Sequence, residues 1–452
     1  MIKTVFFDGI NINLTKSNSE DNVFSIVIGK NGTGKSRLLQ LICSDLIDDN
    51  NKNALILDRK PSKIIAISTT PFDKFPIKTV HNKNYYYQGI KNIKSLDVSK
   101  GYISKFIGDF FHGLIEKKSN SLSKTLNYLG YKDEISIRFK YIGGSVIKRI
   151  IEQKSIREHS SLFIQSTLTQ KKISEKEIIR YKTRELEYYL KNRYYDGEEQ
   201  VNLNYITDDS KMKDLLESVT NSPWLHSSRV LNVKLKGTST SFDKNLVLSI
   251  DLVNLIHSGL LKIDKISLKK ISSKEPFDIE HASSGEQSII MNILGISSLI
   301  KDNSLILIDE PEVCLHPEWQ EKYIQLIIDV FKNQRKCHFI IATHSPQIIA
   351  NLSEKNCFIT SIENGICKNS KEYINQSADY QLATLFNAPG FKNEYLSRVS
   401  LSLLSKIMAN KSIDNDDLNV MKTLLSVKEN LSKDDPILSL IISLEEMVNY
   451  YA

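Results

Sequence analysis

The sequence predicts an α/β fold in which buried parallel strands carry polar residues at their carboxyl ends. Three observations support this. Val23 to Ile28 is a short apolar run leading into Gly29-Lys30-Asn31-Gly32-Thr33-Gly34-Lys35-Ser36. Leu305 to Ile308 is a second run, closed by Asp309 and Glu310. Phe339 to Thr343 is a third, closed by His344. Runs this short and apolar suit strands buried on both faces, and in such sheets ligands bind beyond the carboxyl ends.

The glycine-rich stretch matches G-x-x-x-x-G-K-S and lies between a strand and a helix, as that motif requires. Gly29, Gly32 and Gly34 let the backbone wrap phosphates. Lys35 is placed to reach the outer phosphates, and the Ser36 hydroxyl to bind Mg²⁺. A plain glycine-rich turn would rarely match at every position. Ser283-Ser284-Gly285-Glu286-Gln287 opens a second helix. Serine caps it, and small residues bare N–H groups that, with the helix dipole, suit a phosphate. Asp309 can hold Mg²⁺ directly or through water. Glu310 can orient and deprotonate an attacking water.

In this order the motifs resemble an ABC-type ATPase head. Asp309-Glu310-Pro311-Glu312, Leu315-His316-Pro317 and Thr343-His344-Ser345-Pro346 narrow the resemblance to the RecF-like and OLD-like soluble ATPases of DNA maintenance and phage defence. The resemblance implies ATP and Mg²⁺ as cofactors, and Glu310 and His344 as catalytic residues. It also implies a homodimer, with ATP held between the phosphate loop of one subunit and Ser284 and Gly285 of the other. It further implies a strand-end glutamine that reaches Mg²⁺ and the attacking water. Gln88, in Tyr85-Tyr86-Tyr87-Gln88-Gly89, is the candidate; a surface glutamine beside core tyrosines is the plain alternative. The expected architecture is an ABC-type P-loop ATPase head with a helical insert and a helical C-terminal tail. Its divisions are the N-terminal half of the head over 1–100, the insert with strand return over 101–279, the C-terminal half over 280–365 and the tail over 366–452.

Along the chain, Met1 to Asn13 alternates like a hairpin, Ser36 to Ile47 is a helix and Lys63 to Ser68 a core strand. Gly108 to Tyr128 has helical periodicity. Lys171 to Arg193 is the most charged helix, with tyrosines interleaved. It reads as a nucleic-acid surface or as a solvated face with pairs such as Glu187 with Lys191. Asn245 to Val253 reads as a strand, followed by a helix leading to Ser283, and Asn356 to Glu363 as another strand. The tail reads as three amphipathic helices. Their apolar positions are Leu396, Val399, Leu403 and Ile407; then Leu418, Met421 and Leu425; then Ile437, Ile441, Leu444 and Val448.

Composition is that of an ordinary globular protein. The 60 basic residues against 53 acidic ones leave a charge of +7, which permits DNA contact without demanding it. Five cysteines without a C-x-x-C pair suit buried thiols in a reducing cytoplasm. No signal segment and no apolar window of about 18 residues is present, so no membrane role is expected.

OLD-like nucleases add a Toprim domain, which needs a strand-end glutamate and a later Asp-x-Asp. Glu363 and Asp414-Asn415-Asp416 are what the chain offers, but Asp414 precedes a helix and reads as its cap. The expectation is an ATPase that cuts nothing itself. Size, tail, the stretch Ile65 to Phe75 and the tyrosines after it resemble the PtuA-type ATPase subunits of Septu and retron phage-defence systems. That resemblance implies an HNH nuclease partner and, in retrons, a reverse transcriptase with its RNA/DNA product. A RecF-like repair ATPase acting on DNA ends is the second reading. A transporter's nucleotide-binding subunit is the third; Glu286, Leu315-His316-Pro317 and the long insert depart from that pattern.

Overall fold

The computed structural model describes residues 1–17, 19–47, 54–70, 72–77, 84–89, 91, 107–108, 110–115, 121–152, 174–196, 206–226, 229–237, 239–243, 246–273, 275–353, 355–374 and 376–451. The chain forms two compact units, Met1–Gly89 with Lys301–Ala452, and Ile90–Ile300. The strands begin with β1 (Ile2–Phe7), β2 (Ile10–Asn13), β3 (Val23–Ile28), β4 (Leu55–Leu57), β5 (Lys63–Ser68) and β6 (Tyr85–Gly89). In the second unit come β7 (Tyr131–Tyr141), β8 (Val230–Lys236), β9 (Ser239–Phe242), β10 (Leu261–Lys270) and β11 (Pro276–Asp278). The chain returns to the first unit with β12 (Ser304–Asp309), β13 (His338–Thr343), β14 (Cys357–Ser361) and β15 (Cys367–Asn369).

In the first unit, seven strands form one sheet in the order β15-β14-β3-β13-β12-β5-β6. All its pairings are parallel except β14 with β15. Strands β3, β5, β12 and β13 are buried at every residue, which explains their unbroken apolar runs. The Lys35–Ile47 helix lays Leu38, Leu39 and Ile42 on the sheet face that carries Val27, Ala66, Leu305, Leu307, Ile340 and Ala342. Truncating one of these leucines to alanine removes a tightly packed side chain, at a cost of about 2–5 kcal/mol.

The β1–β2 hairpin forms as expected, and β4 adds to its other edge. It is tied to the main sheet by buried His338. The Ile2 N–H donates to His338 Nδ1 at 3.2 Å. Ser25 Oγ donates to Leu14 O at 2.6 Å, so at 2.8 Å from His338 Nε2 it is the acceptor and Nε2 carries the proton. Burial, with the N-terminal amine and Lys3 adding, pushes His338 down to about 3. In the unfolded chain it titrates near 6.5. The unfolded state therefore binds the extra proton first, and this contribution to stability is complete above about pH 6.5 and lost as pH falls toward about 3. We expect unfolding free energy to drop in that window by up to about 1.4 kcal/mol per pH unit. Urea midpoints measured against pH check this: His338→Gln must show a shallower acid limb than the parent.

The tail carries its own core. Helices Glu394–Asn410, Asn415–Lys428 and Pro436–Tyr451 bury Leu396, Leu403, Ile407, Met421, Leu424 and Ile441 among one another. The buried stripe of the middle helix differs from expectation. Leu424 and Val427 are inside with Met421, while Leu418 and Leu425 are more than a third exposed. The Asp414–Asp417 capping box rotates Asp417 inward, where Lys406 meets it at 2.7 Å, and this sets the helix phase. Among the described residues, no helix is long and apolar enough to cross a membrane.

The second unit contains helices and a five-stranded antiparallel sheet ordered β11-β10-β7-β8-β9. Ile135, Ile137, Phe139, Leu231, Val233 and Leu268 fill its inner face. The strand expected over Asn245 to Val253 is corrected. Asn245 lies outside the described residues, and a helix runs from Ile250 to His257. Ser249 caps it by accepting from the Leu252 N–H at 3.4 Å, a signal that a short apolar run hides. Strands β10 and β11, not that helix, precede Ser283. The charged helix spans Glu175–Tyr195 behind a Ser174–Glu177 capping box; Lys171 and Lys172 lie outside the described residues. It buries Thr183, Leu186 and Leu190 and forms the Glu187–Lys191 pair.

Candidate active site

The phosphate loop follows β3, the strand at which the chain order of the main sheet reverses, with β14 on one side and β13 on the other. Ligands bind at such switch points. Gly32 and Gly34 have φ of +83° and +99°, a region that suits glycine. A Cβ on Gly34 would also meet Phe7 Cζ at 3.0 Å. Lys35 is buried, and its amine donates to Gly29 O at 2.9 Å and Lys30 O at 3.2 Å. Burial lowers its pKa, against the opposing pull of Glu310, Glu312, Asp309 and Glu363. The Lys30 N–H donates to Glu363 Oε1 at 3.2 Å, and Lys30 Nζ to Asn430 Oδ1 at 3.0 Å. Glu363 thus braces the loop, and Asp414 caps a tail helix.

Asp309 ends β12 beside Ser68 of β5 and Ala342 of β13. Ser36 Oγ donates to Asp309 Oδ1 at 3.1 Å. Burial pushes the Asp309 carboxyl up to about 7 despite that bond, and Glu310, Asp73 and Glu312 add to the rise. Asp73 is buried, accepting from the Tyr87 hydroxyl at 2.6 Å and the Phe75 N–H at 3.0 Å.

Glu310 sits in the left-handed region at φ +46°, ψ +59°. For a residue with a Cβ this stores about 1–3 kcal/mol, and such strain clusters at functional sites. The turn swings Glu310 toward His344, whose Nδ1 is 3.7 Å from its carboxylate and 3.1 Å from that of Glu312. The neighbouring His344 imidazole holds Glu310 below its ordinary range, and Glu310, with Glu312 adding, holds His344 above its own.

Glu312 is the residue whose part the motifs did not disclose. It is 5% exposed. Its Oε1 accepts from Thr343 Oγ1 at 2.7 Å and from the His344 N–H at 2.7 Å, so one carboxylate ties the turn after β12 to the end of β13. Its Oε2 is buried with no hydrogen-bond partner among the described residues. A second glutamate two residues beyond the strand-end pair was the only signal in the sequence.

Gln88 lies elsewhere. It is buried at the level of Ile67 and Ile308, one row back from Gly89, Ser68 and Asp309. Successive strand residues alternate faces. Gln88 and Asp309 therefore point to opposite faces and stand two strands apart. The structure does not bring Gln88 to the Ser36–Asp309 pair. This corrects the expectation of a metal- or nucleotide-reaching glutamine there.

The Ser283–Gln287 stretch belongs to the second unit. Ser283 caps the Ser284–Leu299 helix, accepting from the Glu286 N–H at 3.2 Å, while Glu286 Oε2 accepts from the Ser283 N–H at 3.0 Å. Tyr131 donates to the other Glu286 oxygen at 3.0 Å. Gln287 Nε2 donates to Ile279 O and Ala282 O at 3.0 and 3.1 Å. Glu286 and Gln287 thus hold the helix start in place, leaving Ser283 and Ser284 exposed.

Donor chemistry permits a test for Mg²⁺. Ser36 Oγ and Asp309 supply hard oxygens, and the acid excess of Asp309, Glu310 and Glu312 suits a divalent cation. Two protein ligands are few, but Mg²⁺ characteristically takes only one or two, with phosphate and water completing its shell. The residues fit.

A lysine-bearing glycine loop whose serine faces a strand-end aspartate is the working edge of a P-loop ATPase head. The chain belongs to the AAA ATPase domain family, whose model matches residues 6–349. It is 30% identical over 168 residues to the Retron Ec83 probable ATPase of Escherichia coli, a match covering 34% of this chain and 29% of that protein. It is 23% identical over 368 residues to the Retron Vc95 probable ATPase of Vibrio cholerae serotype O1 biovar El Tor, covering 75% of this chain and 69% of that protein. Among solved structures, the Smc head domain from Pyrococcus furiosus bound to the C-terminal domain of ScpA is 13% identical, covers 81% of this chain and 95% of that one, and has a TM-score of 0.29. The strand order of the main sheet and the family match define the fold.

Proposed function

We propose that this protein is the nucleotide-gated ATPase subunit of a retron-type phage-defence complex, controlling a partner HNH nuclease. The observation that carries the reading is the joint occurrence of an ATPase edge with similarity to two retron probable ATPases. In it, Gly29 to Ser36 wrap the phosphates of ATP and Lys35 offsets their charge. Ser36 and Asp309 hold Mg²⁺, which when bound draws charge from the phosphates. Glu310, kept ionised by His344, takes the proton of the attacking water. His344, fixed by Glu312, carries the state of that edge into the turn that follows β13.

Two heads sandwich ATP, with Ser284 and Gly285 of one subunit completing the site of the other. The Ser283 cap and the exposed Ser283 and Ser284 at the helix start support that part, with Gly285 buried behind them. A dimer of this kind is a two-state element that ATP biases. The nuclease is held inactive while ATP is bound and released when nucleotide is lost. The protein should be co-purified with its operon neighbours and DNA cleavage assayed across ATP concentrations. Cleavage that rises as ATP is depleted is expected; a complex whose cleavage ignores ATP, or a chain that binds no neighbour, overturns the reading.

A further inference from the structure

The antiparallel sheet of the second unit has one apolar face and one charged face. Along β7, Ile135, Ile137, Phe139 and Tyr141 are buried, while Arg138 and Lys140, which alternate with the last three, are exposed. The register carries this alternation into the neighbouring strands. Lys140 stands beside Lys262, Arg138 beside Lys265, and Ser136 beside Lys234. Lys236 and Lys269 extend the same face at one end.

Carboxylates balance only part of this charge. Asp264 is shared by Arg138 and Lys140, Asp278 lies 3.5 Å from Lys265, and Glu134 takes Lys269 at 3.3 Å. Lys234 and Lys236 are exposed and belong to no ion pair among the described residues.

We infer that this outer face of β10, β7 and β8 binds the phosphate backbone of duplex nucleic acid. Alternate residues on a strand repeat at about 6.8 Å and neighbouring strands at about 4.8 Å, so the cations form a flat grid. Serines lie among them at Ser136 and Ser267, side chains that with lysine and arginine contact phosphates. Asn232, beside Arg138, donates to Asp243 at 2.7 Å, which adds one more carboxylate at that edge. None of the exposed large apolar side chains among the described residues stands on this face. That argues against a protein partner, whose interface core would be apolar and poor in lysine. It also argues against a single strand, which needs aromatic platforms for its bases. The Glu175–Tyr195 helix, the other basic candidate, mixes both signs in its first turns. The inference does not depend on the gated-nuclease reading.

The test is fluorescence anisotropy of the full chain with a labelled mixed-sequence duplex of about 30 base pairs, between about 50 and 200 mM KCl. Binding should weaken steeply with salt. The triple variant Lys234→Glu, Lys236→Glu, Lys265→Glu should bind at least about tenfold more weakly and lose about 2–3 from the logarithmic salt slope. Lys176→Glu with Arg180→Glu should leave both unchanged, and circular dichroism with thermal unfolding of each variant verifies folding. Three results would overturn the inference: no duplex binding by the parent at low salt, a triple variant that binds as the parent does, or loss confined to the helix variant. Tighter binding of the corresponding single strand, or displacement of the duplex by poly-glutamate at matched charge, would assign the face to another partner and overturn it too.

Discussion

Lys35→Ala is expected to remove nucleotide binding. The lysine amine sits buried inside the loop, 2.9 Å from Gly29 O, with the carboxylates of Asp309, Glu310 and Glu312 beyond it. Without it, triphosphate would enter a region of uncompensated negative charge. Hydrogen bonds to charged groups contribute about 1.5–3 kcal/mol each, and the amine can make at least two, so affinity should fall by about 10²–10⁴. Folding should survive, because the main sheet is built from β3, β12 and β13 and the helix core from Leu38, Leu39 and Ile42. Calorimetry with ATP, alongside thermal unfolding to show a folded variant, decides the matter. Tight binding by a folded Lys35→Ala protein would remove the phosphate-loop assignment.

What could be read from the sequence was what local chemistry dictates. Val23–Ile28, Lys63–Ser68, Ser304–Asp309 and His338–Thr343 are legible as strands because burial on both faces leaves no alternation to misread. The Ser283 and Asp414 caps are legible because a polar side chain and its N–H partner lie three residues apart. Pairings across long sequence distances were hidden. Nothing local says that Glu312 will tie down Thr343 and His344, or that His338 will accept from Ile2. Gln88 shows the reverse failure. Its place at the end of a strand suggested a reach that strand phase denies, since a shift of one residue turns a side chain to the other face. Ser249 shows a cap masked by the apolar residues on both sides of it.

The second large effect is expected from Glu310→Gln, and its contrast with Glu312→Gln gives the edge its internal test. Glu310 is held in a left-handed turn that aims its carboxyl at His344. Its lowered pKa leaves it ionised at neutral pH, ready to accept a proton. Glutamine keeps the shape and removes the base, so nucleotide should still bind while turnover falls by about 10²–10⁴. Glu312 has a different task. Its Oε1 accepts from Thr343 and from the His344 N–H, and a glutamine amide oxygen can do the same. Glu312→Gln should therefore cost turnover far less than Glu310→Gln. Glu312→Ala strips the acceptor from two inward-facing donors and should lower stability by about 1–3 kcal/mol. Single-turnover hydrolysis, nucleotide affinity and urea midpoints on the three variants separate the roles. If Glu310→Gln turns over ATP at the parent rate while Glu312→Gln does not, the base is Glu312 and the strained turn serves only to place it.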